Sequence, residues 1–187
     1  LGVCSSLIDR MATRNLPDQS PLFHWLALER IPRVGPLTIA RLYEAFKDPK
    51  TALQADYKKI RNRTGLSEKL ARTIADYAIP CDDILKDLET LDRIGARVVT
   101  RWDADYPENL QHIYDPPALL FVRGTLKPED ERAVAMVGTR NPTHYGIKMA
   151  EAITRDLVAA GVTVVSGLAR GIDGVSHRTA LKHGGRT

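Results

Sequence analysis

The chain has 187 residues, 43% hydrophobic, 27% charged and only 6% aromatic, with a formal net charge of +4. That is enough apolar content for a real core in one domain or two small ones, which excludes disorder of the whole chain. No stretch reaches the roughly 18 consecutive apolar residues of a spanning helix, and Asp9 and Arg10 interrupt the start too early for a signal peptide, so a cytoplasmic protein without a membrane partner is expected.

Leu1 to Gln19 mixes small, polar and charged residues without a period and reads as a tail. At Ser20-Pro21 a cap precedes a proline tolerated in a first turn, and Leu22, Trp25, Leu26, Leu28 and Ile31 then recur at helical spacing. After Ile31-Pro32-Arg33-Val34-Gly35-Pro36 a second stripe runs through Leu37, Ile39, Ala40, Leu42, Tyr43 and Phe46. Asp48-Pro49 opens a short helix with Ala52 and Leu53, and Ser67 caps a fourth that carries Leu70, Ile74 and Tyr77. Residues 20–80 are therefore expected to form a small unit of four helices.

Residues 81–132 read as a connector leading into a sheet. It holds a helix from Asp82 to Arg93 closed by Gly95, a strand from Ala96 to Trp102, a turn-rich stretch through Asp115-Pro116-Pro117, and an apolar run from Ala118 to Val122 whose length favours a strand. From 133 to 187 the order is strand (Ala133 to Val137), helix (Tyr145 to Ala160), strand (Val162 to Val165) and helix (Ile172 to His183). Ile147, Ala150, Ile153, Leu157 and Val158 are the expected inward face of the first of these helices. Alternation of this kind specifies a parallel, doubly wound α/β sheet, in which ligands sit at the carboxyl ends of the strands. A sheet of that kind usually needs two to three times these 55 residues, so 133–187 is expected to be a truncated first half. Charge follows the same partition: net +5 over residues 1–80, −5 over 81–132 and +4 over 133–187.

Each strand of the last segment ends in a loop of similar composition: Val137-Gly138-Thr139-Arg140-Asn141-Pro142 and Ser166-Gly167-Leu168-Ala169-Arg170-Gly171-Ile172-Asp173. Glycine lets backbone amides face a ligand, a hydroxyl adds a donor, and an arginine fork matches phosphate geometry. Side by side, two such loops make an anion pocket, and the helix starts beyond them are expected to add positive charge. A lone loop of this type is equally a tight turn with an exposed arginine. Neither G-x-G-x-x-G nor G-x-x-x-x-G-K-[ST] occurs, so a dinucleotide or nucleoside triphosphate is not the expected ligand, and Ser166-Gly167 lacks the frame of a nucleophile elbow. Tyr145 stands near the loops and reads as a core edge rather than a stacking platform. His177 is expected to fix the second loop by a hydrogen bond. The histidines have no ligand spacing, so no metal and no cofactor are expected, and Cys4 and Cys81 read most simply as free thiols.

Met136 to Pro142, Tyr145-Gly146, Val165 to Asp173 and His177, with Tyr106-Pro107, Leu110, Ile113, Asp115 to Pro117 and Leu120 to Gly124 before them, resemble the DprA/Smf family. The resemblance runs from about Ser20 to the last residue. It implies a Rossmann-like sheet and no catalysis. The function it implies is binding and protection of single-stranded DNA, with loading of the RecA recombinase in natural transformation, by a protein that is a homodimer at full length. Carried over onto this sequence, the principal phosphate ligand is Arg140, with Gly138, Thr139, Asn141, Ser166 and Gly167 around it. Arg170 is next, either on the phosphate or tied internally. The family's pattern draws a further lysine and an aromatic from a segment beyond Thr187. Ile31 to Pro36 also resembles the hairpin of helix-hairpin-helix and SAM-like domains, with Gly65-Leu66-Ser67 as a decayed second copy. DNA contact, protein contact and a spacer role remain open for that unit, as they do for the basic run Lys58, Lys59, Arg61 and Arg63.

An alternative on a similar sheet is a nucleotide-processing enzyme of the phosphoribohydrolase or lysine-decarboxylase-like type, but its P-G-G-x-G-T-x-x-E segment does not occur.

Overall fold

The computed structural model describes residues 20–187, so the proposed tail and Cys4 lie outside the described residues. The chain divides into two compact units, one of residues 20–106 and 110–125, the other of residues 107–109 and 126–187.

The first unit begins with α1 (Pro21–Glu29) and α2 (Pro36–Phe46), both with proline in the first turn. Ser20 occupies the cap position of α1, yet its side chain makes no capping bond. Next come α3 (Pro49–Gln54), capped by Asp48, and α4 (Tyr57–Thr64), capped by Asp56. The latter is a fifth helix that the apolar pattern does not reveal, because only Ile60 is fully buried in it and the rest of its length is polar. Helix α5 (Glu68–Ala75) is capped by Ser67, as expected.

Helix α6 (Cys81–Ile94) ends at Gly95 in the left-handed region, and β1 (Ala96–Thr100) pairs antiparallel with β2 (Leu119–Arg123) in the register Val99 to Leu120. The short α7 (Glu108–Gln111) lies between them. This stretch does not stand apart from the helices: Ile84, Ala118 and Leu119 are buried in the same core as Leu28, Ile39, Leu42, Ile60 and Ile74. Trp102 stacks on Trp25 with ring centroids 4.9 Å apart and meets Tyr43 at 4.3 Å. Cys81 is not the free thiol expected, since it is disulfide-bonded.

In the second unit a 3₁₀ turn (Pro128–Glu131) leads into β3 (Ala133–Ala135), followed by α8 (His144–Ala159), β4 (Thr163–Val165) and α9 (Ile172–Lys182). β3 and β4 are parallel, Val134 beside Val164. Thr163 donates its N–H to Arg132 and Val165 accepts from Met136, so these two residues face β3. Val164 between them must therefore direct its backbone to the opposite edge, where its N–H meets the Arg186 carbonyl at 3.0 Å and its carbonyl accepts the Thr187 hydroxyl at 2.6 Å. Arg186 and Thr187 thus lie along the edge of β4 away from β3.

The amino ends of these strands are tied by Asp130, whose carboxylate is held by the Arg186 guanidinium, at 2.6 Å for one of the bonds, and accepts from the Thr163 hydroxyl and the Lys127 amide. The Arg186 guanidinium holds the Asp130 carboxyl down to about 2 from 3.8.

Only Ala150, Ile172 and Val175 form a buried apolar cluster in this unit. Ile153, expected inward, is 45% exposed, as are Val134, Val137 and Val165 to similar or greater degree. Helices α8 and α9 pack on each other and on β4, which leaves these residues without a covering element among the described residues. No helix among the described residues is long and apolar enough to cross a membrane.

Candidate nucleic-acid interface

Because β3 and β4 are parallel neighbours, their carboxyl ends lie at one edge, and the loops over 136–143 and 166–171 leave from it together. Three contacts lock them. The Ser166 hydroxyl donates to the Met136 carbonyl at 2.6 Å, and the Ile172 N–H donates to the Thr139 carbonyl at 3.2 Å. The third needs glycine: Gly171 has φ +85°, and a Cβ there would stand 2.2 Å from the Thr139 carbonyl oxygen and 2.7 Å from the Arg140 backbone. Gly138 is constrained likewise, since its Cβ would fall 2.6 Å from the Ile172 side chain. The sequence makes both residues look like simple turn glycines; the structure makes them the surfaces on which two loops touch.

Asp173 braces the second loop. It is buried, its Oδ2 accepts the Ala169 N–H at 3.4 Å, and the Ala169 carbonyl in turn accepts from Gly174 at 3.1 Å. Arg170 forms no ion pair among the described residues, so the internally tied alternative for Arg170 is not realised. The sequence offered Asp173 as an internal partner of Arg170; the structure sets it on the Ala169 amide instead.

Arg140 and Arg170 are both exposed, and neither makes a side-chain hydrogen bond or ion pair among the described residues. The N–H groups of Gly138, Thr139, Arg140, Gly167 and Leu168 donate no hydrogen bond within the described chain. Thr139 accepts the Asn141 N–H on its hydroxyl at 3.2 Å, which tightens the first loop and leaves the Thr139 proton and the Asn141 side chain available. Ser166 differs, because its only proton is committed to Met136. The edge thus carries two guanidinium groups and five amides without a partner among the described residues, on loops tied to each other.

Other expectations change. The helix starts add less than the pattern implied, since Thr143 caps α8 by accepting the Gly146 N–H and Asp173 sets a carboxylate in the first turn of α9. Tyr145 is no core edge, being 72% exposed. His177 does not hold the loop: its Nδ1 lies 2.6 Å from the Thr187 hydroxyl. The single Thr187 proton goes to the Val164 carbonyl, so the ring nitrogen is the donor and ties α9 to the segment beside β4. The positive charge of 133–187 is also less concentrated than its sum implied, with Arg186 on Asp130 and Arg155 beside Asp156.

Several cations of the first unit are held within it. Arg30, in the turn after α1, pairs with Asp87 of α6; Arg61 and Arg72 both pair with Glu68; Arg63 lies over the Phe46 ring at 5.3 Å. The two turns that resemble hairpins are present, with Arg33 at φ +67° in the first and Gly65 at +68° in the second.

The chain is thus a parallel α/β unit with paired glycine and arginine loops at its carboxyl edge, preceded by a helical unit with two hairpin-like turns. Comparison with known proteins narrows this description. Residues 97–187 match the family model of DNA recombination-mediator protein A, and residues 26–78 match that of the SAM-like helix-hairpin-helix tandem. Protein Smf of Synechocystis is 32% identical over 168 residues, covering 88% of this chain and 42% of that protein. The DNA processing protein DprA of Bacillus subtilis is 47% identical over 94 residues, covering 50% of this chain and 32% of that protein. The X-ray structure of DprA from Streptococcus pneumoniae has the same fold over 90% of this chain and 56% of its own, with a TM-score of 0.66 at 24% identity. The chain belongs to the DprA/Smf family. It spans less than half the length of these curated relatives.

Proposed function

We propose that the chain binds single-stranded DNA at the edge formed by the two interlocked loops, and that it takes part in recombination as a mediator in the cytoplasm, protecting the strand and placing the RecA recombinase on it. The observation that carries the binding site is the coincidence, on one fixed edge, of Arg140, Arg170 and five backbone N–H groups without partners. Such a site fits phosphate oxygens, and it has no set of base-edge donors and acceptors, so sequence preference is slight. The name of the matched family supports the mediator role, and the family resemblance supports RecA as partner and a homodimer at full length.

The role is binding rather than catalysis. Near the loops, the Ser166 proton is committed to Met136, and the Asp173 carboxylate braces the Ala169 amide, which supports this reading.

Fluorescence anisotropy of a labelled oligo-dT tests the site. Wild-type chain is expected to bind it more tightly than duplex of equal length, and Arg140→Ala to lose at least about 1.5 kcal/mol, the lower range for charge-assisted contacts. Equal affinity of the variant removes Arg140 from the site.

A further inference from the structure

Three non-glycine residues among those described have positive φ. Lys47 closes α2 and Arg33 turns a hairpin, and both carry long polar side chains. Leu168 differs: it stands at φ +55° in the second loop, and 78% of its surface is exposed. A left-handed leucine is disfavoured by contact of its Cβ with the backbone and persists only where its surroundings impose it. Here they do, because Leu168 is bracketed by Ser166, bonded to Met136, and by Ala169, bonded through both its N–H and its carbonyl to the first turn of α9. A buried carboxylate and a hydroxyl are committed to a conformation that turns an apolar side chain into water, and no core contact recovers the cost.

We infer that Leu168 is a base-contacting residue: an unpaired nucleobase lies against its side chain while the phosphates are held by the amides of Gly167 and Leu168 and by Arg140 and Arg170. The inference rests on the reading of these loops as a single-strand site and adds what makes that site favour single strands. The charge of the loop points to the occupant, since Arg170 follows Leu168 by two residues and both loop arginines lack an anionic partner. An apolar group beside unpaired cations suits a molecule that is itself apolar plate and anion in alternation. In a duplex the base faces are covered by their neighbours; in a single strand they are open, and contact with a face tolerates any sequence. Tyr145 and Val137, exposed at the first loop, offer further surface of the same kind.

The test uses the 187-residue chain and two labelled strands of equal length, oligo-dT and an abasic strand that keeps the phosphates but lacks bases. Leu168→Asn removes the apolar contact and suits the left-handed backbone, as does Leu168→Gly. Both variants are expected to melt at or slightly above the wild-type temperature, to bind oligo-dT about tenfold more weakly, and to bind the abasic strand unchanged. Equal losses on both strands, or no loss on oligo-dT, overturn the inference. Unchanged affinity with an altered sedimentation coefficient assigns Leu168 to a contact between copies, and overturns it too. Failure of the wild-type chain to bind either strand removes the single-strand reading and this inference together, whereas binding of both strands with no effect of Leu168 removes the inference alone.

Discussion

The two units spend their residues differently. In the first, helices α1 to α6 and the β1–β2 hairpin close over a shared core, and Arg30, Arg61, Arg63 and Arg72 are drawn onto Asp87, Glu68 and the Phe46 ring. In the second, the buried apolar cluster is three residues, several large side chains lie open, and two arginines at the sheet edge have no side-chain partner among the described residues. Yet the second unit holds its two loops together through specific contacts. Order at a binding edge is set by glycine fit and buried hydrogen bonds, and it does not require a large core beneath it.

The sharpest way to break this contrast is to cut equal volumes from each unit. Leu42→Ala, at a site with no exposure, is expected to cost about 2–5 kcal/mol in urea unfolding, whereas Ile153→Ala, at a half-exposed site, costs well under about 1 kcal/mol. Comparable losses would mean that Ile153 is covered in solution. Gly171→Ala comes next: with φ +85° and a carbonyl oxygen 2.2 Å from the new methyl, the loops must part at a cost of about 3 kcal/mol. Amide exchange at Ile172, whose N–H is bonded to Thr139, is the direct readout and should accelerate.

A smaller effect is expected at the strand starts. Asp130 is held near 2 in the folded state against 3.8 in its ordinary state, so its ionised form stabilises the fold by about 2 kcal/mol above pH ~4. Because the folded value is the lower one, that stability is lost as pH falls from about 4 to about 2. Unfolding curves across this range should show the loss in wild type, and Asp130→Asn should lower stability at neutral pH and flatten the acid dependence. A variant with the wild-type slope would remove the clamp from the account.

Much of the fold was legible because its signals are local. Apolar strands separated by amphipathic helices, Ser67 at a cap and Gly95 past a helix end are read within a few residues of themselves. Helix α4 escaped because a polar helix with a single buried Ile60 has no stripe, although Asp56 marks its start. The loop residues were legible as a set: Gly138, Thr139, Arg140, Asn141, Ser166, Gly167 and Arg170 do lie along two adjoining loops. What their spacing did not carry was the division of labour. Whether Ser166 offers its proton to a ligand or to Met136, whether Asp173 pairs with Arg170 or with the Ala169 amide, and whether His177 faces the loop or Thr187 all depend on contacts across the unit. Exposure of Tyr145 and Leu168 likewise follows from which elements cover them, not from their neighbours in sequence.

The central claim is that the two loop arginines hold strand phosphates, and the salt dependence of oligo-dT affinity measures this most directly. Each phosphate neutralised on a single strand contributes about −0.7 to the slope of log K against log salt. Arg140→Ala and Arg170→Ala are each expected to make the slope shallower by about 0.7, and the double variant by about twice that. Slopes equal to wild type in all three variants would contradict the account, because affinity would then not depend on phosphate contacts at these loops.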